Sequence, residues 1–166
     1  MTITISEVIS NFSFMTILNA FNSLEKEENL IIYLNTPGGE VDSMNAIIDF
    51  INHNTERIEL IGNWELSSAG FDIYMKSKCN KKLLQNTIGM AHYSSASVLV
   101  NENGELSDPY NQVRFDQLRS EKAKSLAFFK KLGLTANELK TIKAGQEQYF
   151  TYERMLELSS NSFKIK

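Results

Sequence analysis

Apolar positions along this chain fall into blocks whose spacing switches between two residues and three-to-four. Thr2–Ser6 alternates apolar and polar positions, the pattern of a short strand. Phe14, Ile17, Leu18, Phe21 and Leu24 recur at helical spacing, which predicts an amphipathic helix over about 12–24. Glu25-Lys26-Glu27-Glu28-Asn29 reads as a solvated turn. Leu30-Ile31-Ile32-Tyr33-Leu34 is a continuous apolar run of strand length, as in a parallel sheet covered on both faces. Asn35-Thr36-Pro37-Gly38-Gly39 is a breaker cluster, and Val41, Met44, Ile47, Ile48 and Ile51 then mark a second helix. Arg57–Gly62 reads as another strand. A tight segment, Asn63–Ser67, leads into a helix from about Ser68 to Lys76.

Further on, Lys78-Cys79-Asn80-Lys81 reads as a turn, and Leu83-Leu84 and Ile88–Ala91 as short strands. Val98-Leu99-Val100 precedes Asn103-Gly104, a hairpin signal. Val113 to Lys131 is long, charged and helical, and stops before Gly133. Thr135 and Glu138 form a capping box for another helix, which Gly145 ends. Thr151 caps a last helix over Tyr152–Leu158. Alternation of strands and helices implies parallel crossovers and an α/β core. In such folds ligands bind beyond the carboxyl ends of the strands. Two places leave a strand for a helix, Thr36–Gly39 and Trp64–Ser68, and chemistry is expected there.

Composition narrows the picture. At 166 residues the chain is expected to form one domain. A net charge of −3 disfavours nucleic acid as the main partner, because phosphate binding needs a basic surface. A single cysteine rules out an internal disulfide. No apolar run reaches about 18 residues, so no membrane span is expected. The first residues lack the basic and apolar regions of a signal peptide. A soluble cytoplasmic protein is the expectation. Paired-cysteine and His-Glu-x-x-His spacings are missing, as are the Walker and dinucleotide glycine patterns, so no metal or cofactor is expected.

Each chemical candidate has an ordinary reading beside the functional one. Gly38 and Gly39 make a plain turn or expose N–H groups to a developing oxyanion. Ser67 and Ser68 open a helix, where serine caps well and where a nucleophile gains from the helix field. His92 ends a strand, as a structural histidine or a general base; His53, the other histidine, lies in a polar stretch and reads as surface. Glu147 is a solvated glutamate or an orienting acid. Cys79 stands near Lys78, Lys81 and Lys82, which can lower a thiol pKa, but no paired base accompanies it. The lysines at 76–82 read as a solvated face. Together a serine, a base and an acid can make a triad. Its chain order would be serine, histidine, acid, unlike the α/β-hydrolases, and the Gly-x-Ser-x-Gly elbow is missing.

At this point the sequence resembles a known family. Ile31-Ile32-Tyr33-Leu34-Asn35-Thr36-Pro37-Gly38-Gly39-Glu40-Val41 is similar to the strand and Pro-Gly-Gly turn of the Clp protease proteolytic subunits. Gly62 through Phe71 resembles that family's nucleophile turn. Leu84-Gln85-Asn86-Thr87-Ile88-Gly89-Met90-Ala91-His92 resembles its Asn-x-x-x-Met-x-His segment, and Gln148-Tyr149-Phe150-Thr151 the end of its acid motif. The likeness runs over about residues 30–158.

The resemblance implies a ClpP/crotonase-like α/β fold of stacked ββα units and a serine endopeptidase. It divides the chain into a core of about 1–92 and 145–166 and a helix-plus-hairpin handle of about 93–144. It implies Ser68 as nucleophile, His92 as base and Glu147 in the place of the family's aspartate, with N–H groups of Gly39 and Ala69 as the oxyanion donors. Ungapped counting back from His92 points to Ser67, whereas the Ser-Ala-Gly-Phe pattern favours Ser68. The implied partners are peptide or unfolded protein, further copies in a ring, and an ATP-driven unfoldase. Three rival readings accompany this one: an inactive or regulatory ring-assembly member, crotonase-type acyl-CoA chemistry, and a serine–lysine dyad using Lys76 or Lys78.

Overall fold

The computed structural model describes residues 1–93, 103, 105 and 109–165. By compactness the chain divides into two units, one of Met1–Ala91 with Glu147–Lys166 and one of His92–Gln146.

The first unit is an α/β layer structure. Strands β1 (Thr2–Ile5), β2 (Leu30–Thr36), β3 (Ile58–Ser67), β4 (Asn80–Leu83), β5 (Ile88–Ala91) and β6 (Gln148–Phe150) form one sheet. Its order is β1-β2-β3-β5-β6, with β4 also on β3. Every pairing is parallel except the antiparallel one of β5 with β6. β3 is long enough to serve two neighbours. Glu59–Gly62 pairs with β4, and Glu65–Ser67 pairs with β5.

Helices α1 (Asn11–Asn22), α2 (Val41–His53), α3 (Ala69–Lys76) and α6 (Tyr152–Ser162) complete this unit. Met44, Ile47, Ile48 and Ile51 recur at helical spacing and are the buried stripe of α2. Phe50 receives Phe14 and Phe21 of α1 edge-on, with centroids at 6.2 and 5.2 Å. Phe150 stacks on Phe71 at 5.2 Å, tying β6 to α3 through two buried rings.

Several local expectations are corrected. Asn63–Ser67, read as a tight connection, is the second half of β3. Asn80 and Lys81, read as turn, begin β4, and Gln148–Phe150, read as a loop meeting a short apolar pair, is the strand β6. β2 is fully covered on one face only: Leu30, Ile32, Leu34 and Thr36 are buried, while Ile31, Tyr33 and Asn35 are half-buried.

In the second unit, α4 (Pro109–Leu132) ends at Gly133, whose φ is 94°. Leu134 N–H donates to Phe129 O and Gly133 N–H to Lys130 O, a Schellman closure that requires the left-handed residue. Thr135 and Glu138 form the expected capping box of α5 (Ala136–Lys143). Among the described residues of this unit, Phe129, Leu132, Leu134 and Ile142 are the buried apolar ones. The hairpin expected from Val98-Leu99-Val100 and Gly104 lies outside the described residues.

Candidate active site at two strand-to-helix turns

The first turn joins β2 to α2. Thr36 is fully buried; its hydroxyl donates to Glu7 O at 2.7 Å and accepts the Gly38 N–H at 3.1 Å. Gly38 and Gly39 have φ of 108° and 153°, which side chains rarely adopt. A short parallel bridge then locks the glycines: Ile9 N–H donates to Gly38 O at 2.7 Å, and Glu40 N–H to Ile9 O at 2.9 Å. A Cβ on Gly39 would collide with the Ile9 backbone. Among the described residues the Gly39 N–H itself meets no acceptor.

The second turn joins β3 to α3. Ser67 is the last strand residue, 2% exposed, and its Oγ donates to Glu65 Oε1 at 2.7 Å. Ser68 follows at φ 53° and ψ −115°, a costly conformation for a residue with a Cβ. Its N–H donates to Met90 O of β5 at 2.8 Å, and its carbonyl accepts from Asp72 N at 3.1 Å. The backbone is therefore held at both ends while the side chain is half-buried. The Ser68 side chain makes no capping hydrogen bond to α3, which removes the ordinary reading of this serine. Ala69 begins the helix, and its N–H meets no acceptor among the described residues.

The two turns touch. A Cβ on Gly38 would stand 2.6 Å from Ser68 Cβ, 2.9 Å from Ser67 O and 3.2 Å from Ala69 N. Gly70, on the first turn of α3, would likewise meet Thr36 Cγ2 at 2.5 Å. Glycine at 38 and 70 lets α3 seat its N-terminus against the end of β2. The fold thus gathers Gly39, Ser67, Ser68 and Ala69 from segments about 30 residues apart. Two of these contacts, through Gly38 and Thr36, escaped the sequence reading. A glycine needed for close approach looks the same in sequence as one needed for a turn.

His92 directly follows β5, and Glu147 directly precedes β6. Ala91, next to His92, pairs with Gln148, next to Glu147. Glu147 is exposed, and its Oε2 accepts from Tyr149 Oη at 2.7 Å. That bond holds the Tyr149 phenol above its usual pKa.

The lysine and cysteine candidates are corrected. Cys79 is buried, and desolvation pushes its thiol up to about 11, the opposite of activation by nearby lysines. Lys81 is not on a solvated face. Its Nζ caps the end of α3 through Tyr74 O at 3.0 Å and reaches Ser162 Oγ at 2.8 Å, while burial lowers its pKa to about 8. Lys76 is ion-paired with Asp72 at 2.7 Å. It lies eight positions beyond Ser68, about 12 Å along the helix rise, too far for a serine–lysine dyad. No group of three or more metal-ligating side chains converges among the described residues. No helix among them is long and apolar enough to cross a membrane.

A largely parallel sheet that delivers a glycine turn and a strained serine to one place defines an α/β protein with its candidate site at the strand ends. The family model for Clp protease matches residues 2–114, and the chain belongs to that family. The ATP-dependent Clp protease proteolytic subunit 3 of Rhizobium johnstonii is 36% identical over 89 residues, covering 53% of this chain and 44% of that protein. Proteolytic subunit 2 of Pseudomonas aeruginosa is 33% identical over 73 residues, 43% of this chain and 36% of that protein. The chain thus matches less than half the length of these relatives. A ClpP1 mutant from Listeria monocytogenes has the same fold, with a TM-score of 0.68 at 17% identity, over 95% of this chain and 86% of that one.

Proposed function

We propose that this chain is a Clp-like serine endopeptidase with Ser68 as nucleophile. The observation that carries the reading is the seating of Gly38 against Ser68. It sets two N–H groups, of Gly39 and Ala69, that meet no acceptor among the described residues, on segments that join at a half-buried, strained serine. Ser67 is the weaker choice, since it is buried and its hydroxyl is committed to Glu65.

In this reading Ser68 Oγ attacks the peptide carbonyl carbon while His92 removes its proton. The negative charge that develops on the carbonyl oxygen is met by Gly39 and Ala69 N–H, donors whose loss typically costs about 10²–10³ in rate. His92 returns the proton to the leaving amine, and water then releases the acyl group from Ser68 by the same steps in reverse. Glu147 orients the imidazole. The pairing of Ala91 with Gln148 supports drawing these two side chains from neighbouring strand ends. By likeness to the relatives, the same proposal includes peptide or unfolded protein as substrate and assembly into rings of identical subunits. It also includes delivery of substrate by an ATP-driven unfoldase, and use of about 93–144 as a handle on a single Clp-like domain.

A fluorophosphonate probe with mass mapping of the labelled peptide tests the reading. The expected result is a label on Ser68 that His92→Ala abolishes. A label on Ser67 reassigns the nucleophile. No label on the folded protein overturns the proposal in favour of an inactive ring-assembly member.

A further inference from the structure

The proposed acid is a glutamate where the family carries an aspartate. The extra methylene adds a rotatable bond, so a carboxylate on an exposed glutamate is poorly localised unless something holds it. Here something does. Residues two apart on a strand share a face, and Tyr149, two positions after Glu147, donates its Oη to Glu147 Oε2 at 2.7 Å. The residues on either side of Tyr149 anchor the strand. Gln148 pairs with Ala91, and Phe150 is buried in the stack on Phe71. Tyr149 itself pairs with Met90, which in turn pairs with Ser67. The face carrying Tyr149 is thus the face of the sheet that ends at the serine turn. Tyr149 remains 58% exposed, so its aromatic ring is not needed to fill the core.

We propose that Tyr149 is a positioning residue for hydrolysis, one that fixes the Glu147 carboxylate through a single oxygen and leaves Oε1 for the base. This rests on the triad reading above. Tyr149 touches no reacting atom and acts only through Glu147, replacing by a hydrogen bond the constraint that a shorter acid would have by length.

The test is a double-mutant cycle of Tyr149→Phe and Glu147→Gln on the full chain, read as kcat and KM on a fluorogenic peptide, with thermal melting alongside. Tyr149→Phe is expected to lower kcat by somewhat more than about tenfold, the low end for a hydrogen bond to a charged group. KM and the melting temperature should stay unchanged. In the Glu147→Gln background the same substitution should have no further effect. A wild-type kcat for Tyr149→Phe, with Glu147→Gln impaired, overturns the inference and leaves the triad reading standing. An equal loss in both backgrounds also overturns it, because Tyr149 would then act independently of Glu147. A wild-type rate for Glu147→Gln sinks the acid assignment itself.

Discussion

At the end of β2 the chain enters α2 through two glycines; at the end of β3 it enters α3 through two serines. Both turns hold positive φ, at Gly38 and Gly39 in one and at Ser68 in the other. The glycines reach that region without strain, and having no Cβ they admit neighbouring backbone: Ile9 against Gly39, and the Ser67–Ala69 segment against Gly38. Ser68 reaches it at a cost of about 1–3 kcal/mol. The cost is offset by the bonds of its N–H to Met90 and its carbonyl to Asp72. The difference separates two tasks. In the proposed mechanism the first turn supplies backbone alone, where a side chain would be an obstacle, and the second supplies the Ser68 side chain together with the Ala69 N–H.

The largest effect should come from removing that side chain. Ser68→Ala is expected to lower peptide turnover by about 10⁶-fold, the scale seen when a triad nucleophile is lost. Ser67→Ala should keep turnover within about threefold. It should lose about 1 kcal/mol of stability in a denaturant titration, because it removes one bond to Glu65. Reversal of these two results would transfer the nucleophile to Ser67.

Next in size is the point where the turns touch. Gly38→Ala places a Cβ 2.6 Å from Ser68 Cβ, at a φ of 108° that alanine resists. Overpacking and backbone strain together predict about 2–4 kcal/mol lost in the denaturant midpoint. Fluorophosphonate labelling of Ser68 should also slow at temperatures where the variant is folded. Unchanged labelling with unchanged stability would mean that the second turn does not depend on the first.

Much of the fold was legible because its signals are local. The stripe Met44, Ile47, Ile48, Ile51 and the Thr135–Glu138 box each declare themselves within a few residues, and the glycines at 133 and 145 stop their helices through left-handed φ. The misread segments owe their structure to distant partners. Asn80–Leu83 is a strand by pairing with Glu59–Gly62, and its two lysines disguise it. Gln148–Phe150 is three residues long and exists as a strand only through β5. Asn63–Ser67 reads as a connection although its polar and apolar residues alternate; its strand character lies in the pairing of Glu65–Ser67 with β5. At the site, the turns were found from breakers and serines at strand ends. His92 and Glu147 took their roles from family likeness, and the contact between Gly38 and Ser68 has no local signature at all.

Trp64 sharpens the comparison at the smallest scale. The β2–β3 register runs from Leu34 with Gly62 to Thr36 with Leu66, so three residues of β3 stand where β2 has only Asn35. This bulge bends the strand just before the serine turn. Asn35 Oδ1 satisfies it by accepting the Glu65 N–H at 3.2 Å. Trp64 occupies the bulge at φ 61° with its side chain 69% exposed, so it carries the same kind of strain as Ser68 with little burial in return. Glycine adopts this φ freely, and the loss of an exposed indole removes little apolar contact. Trp64→Gly is therefore expected to leave stability unchanged or raise it by up to about 1 kcal/mol in thermal melting, with Ser68 labelling at the wild-type rate. A loss above about 1 kcal/mol would mean that indole packing holds the bulge. Slower labelling at unchanged stability would mean that strain at Trp64 helps aim the serine, and that the division of tasks between the two turns begins four residues earlier than Ser68.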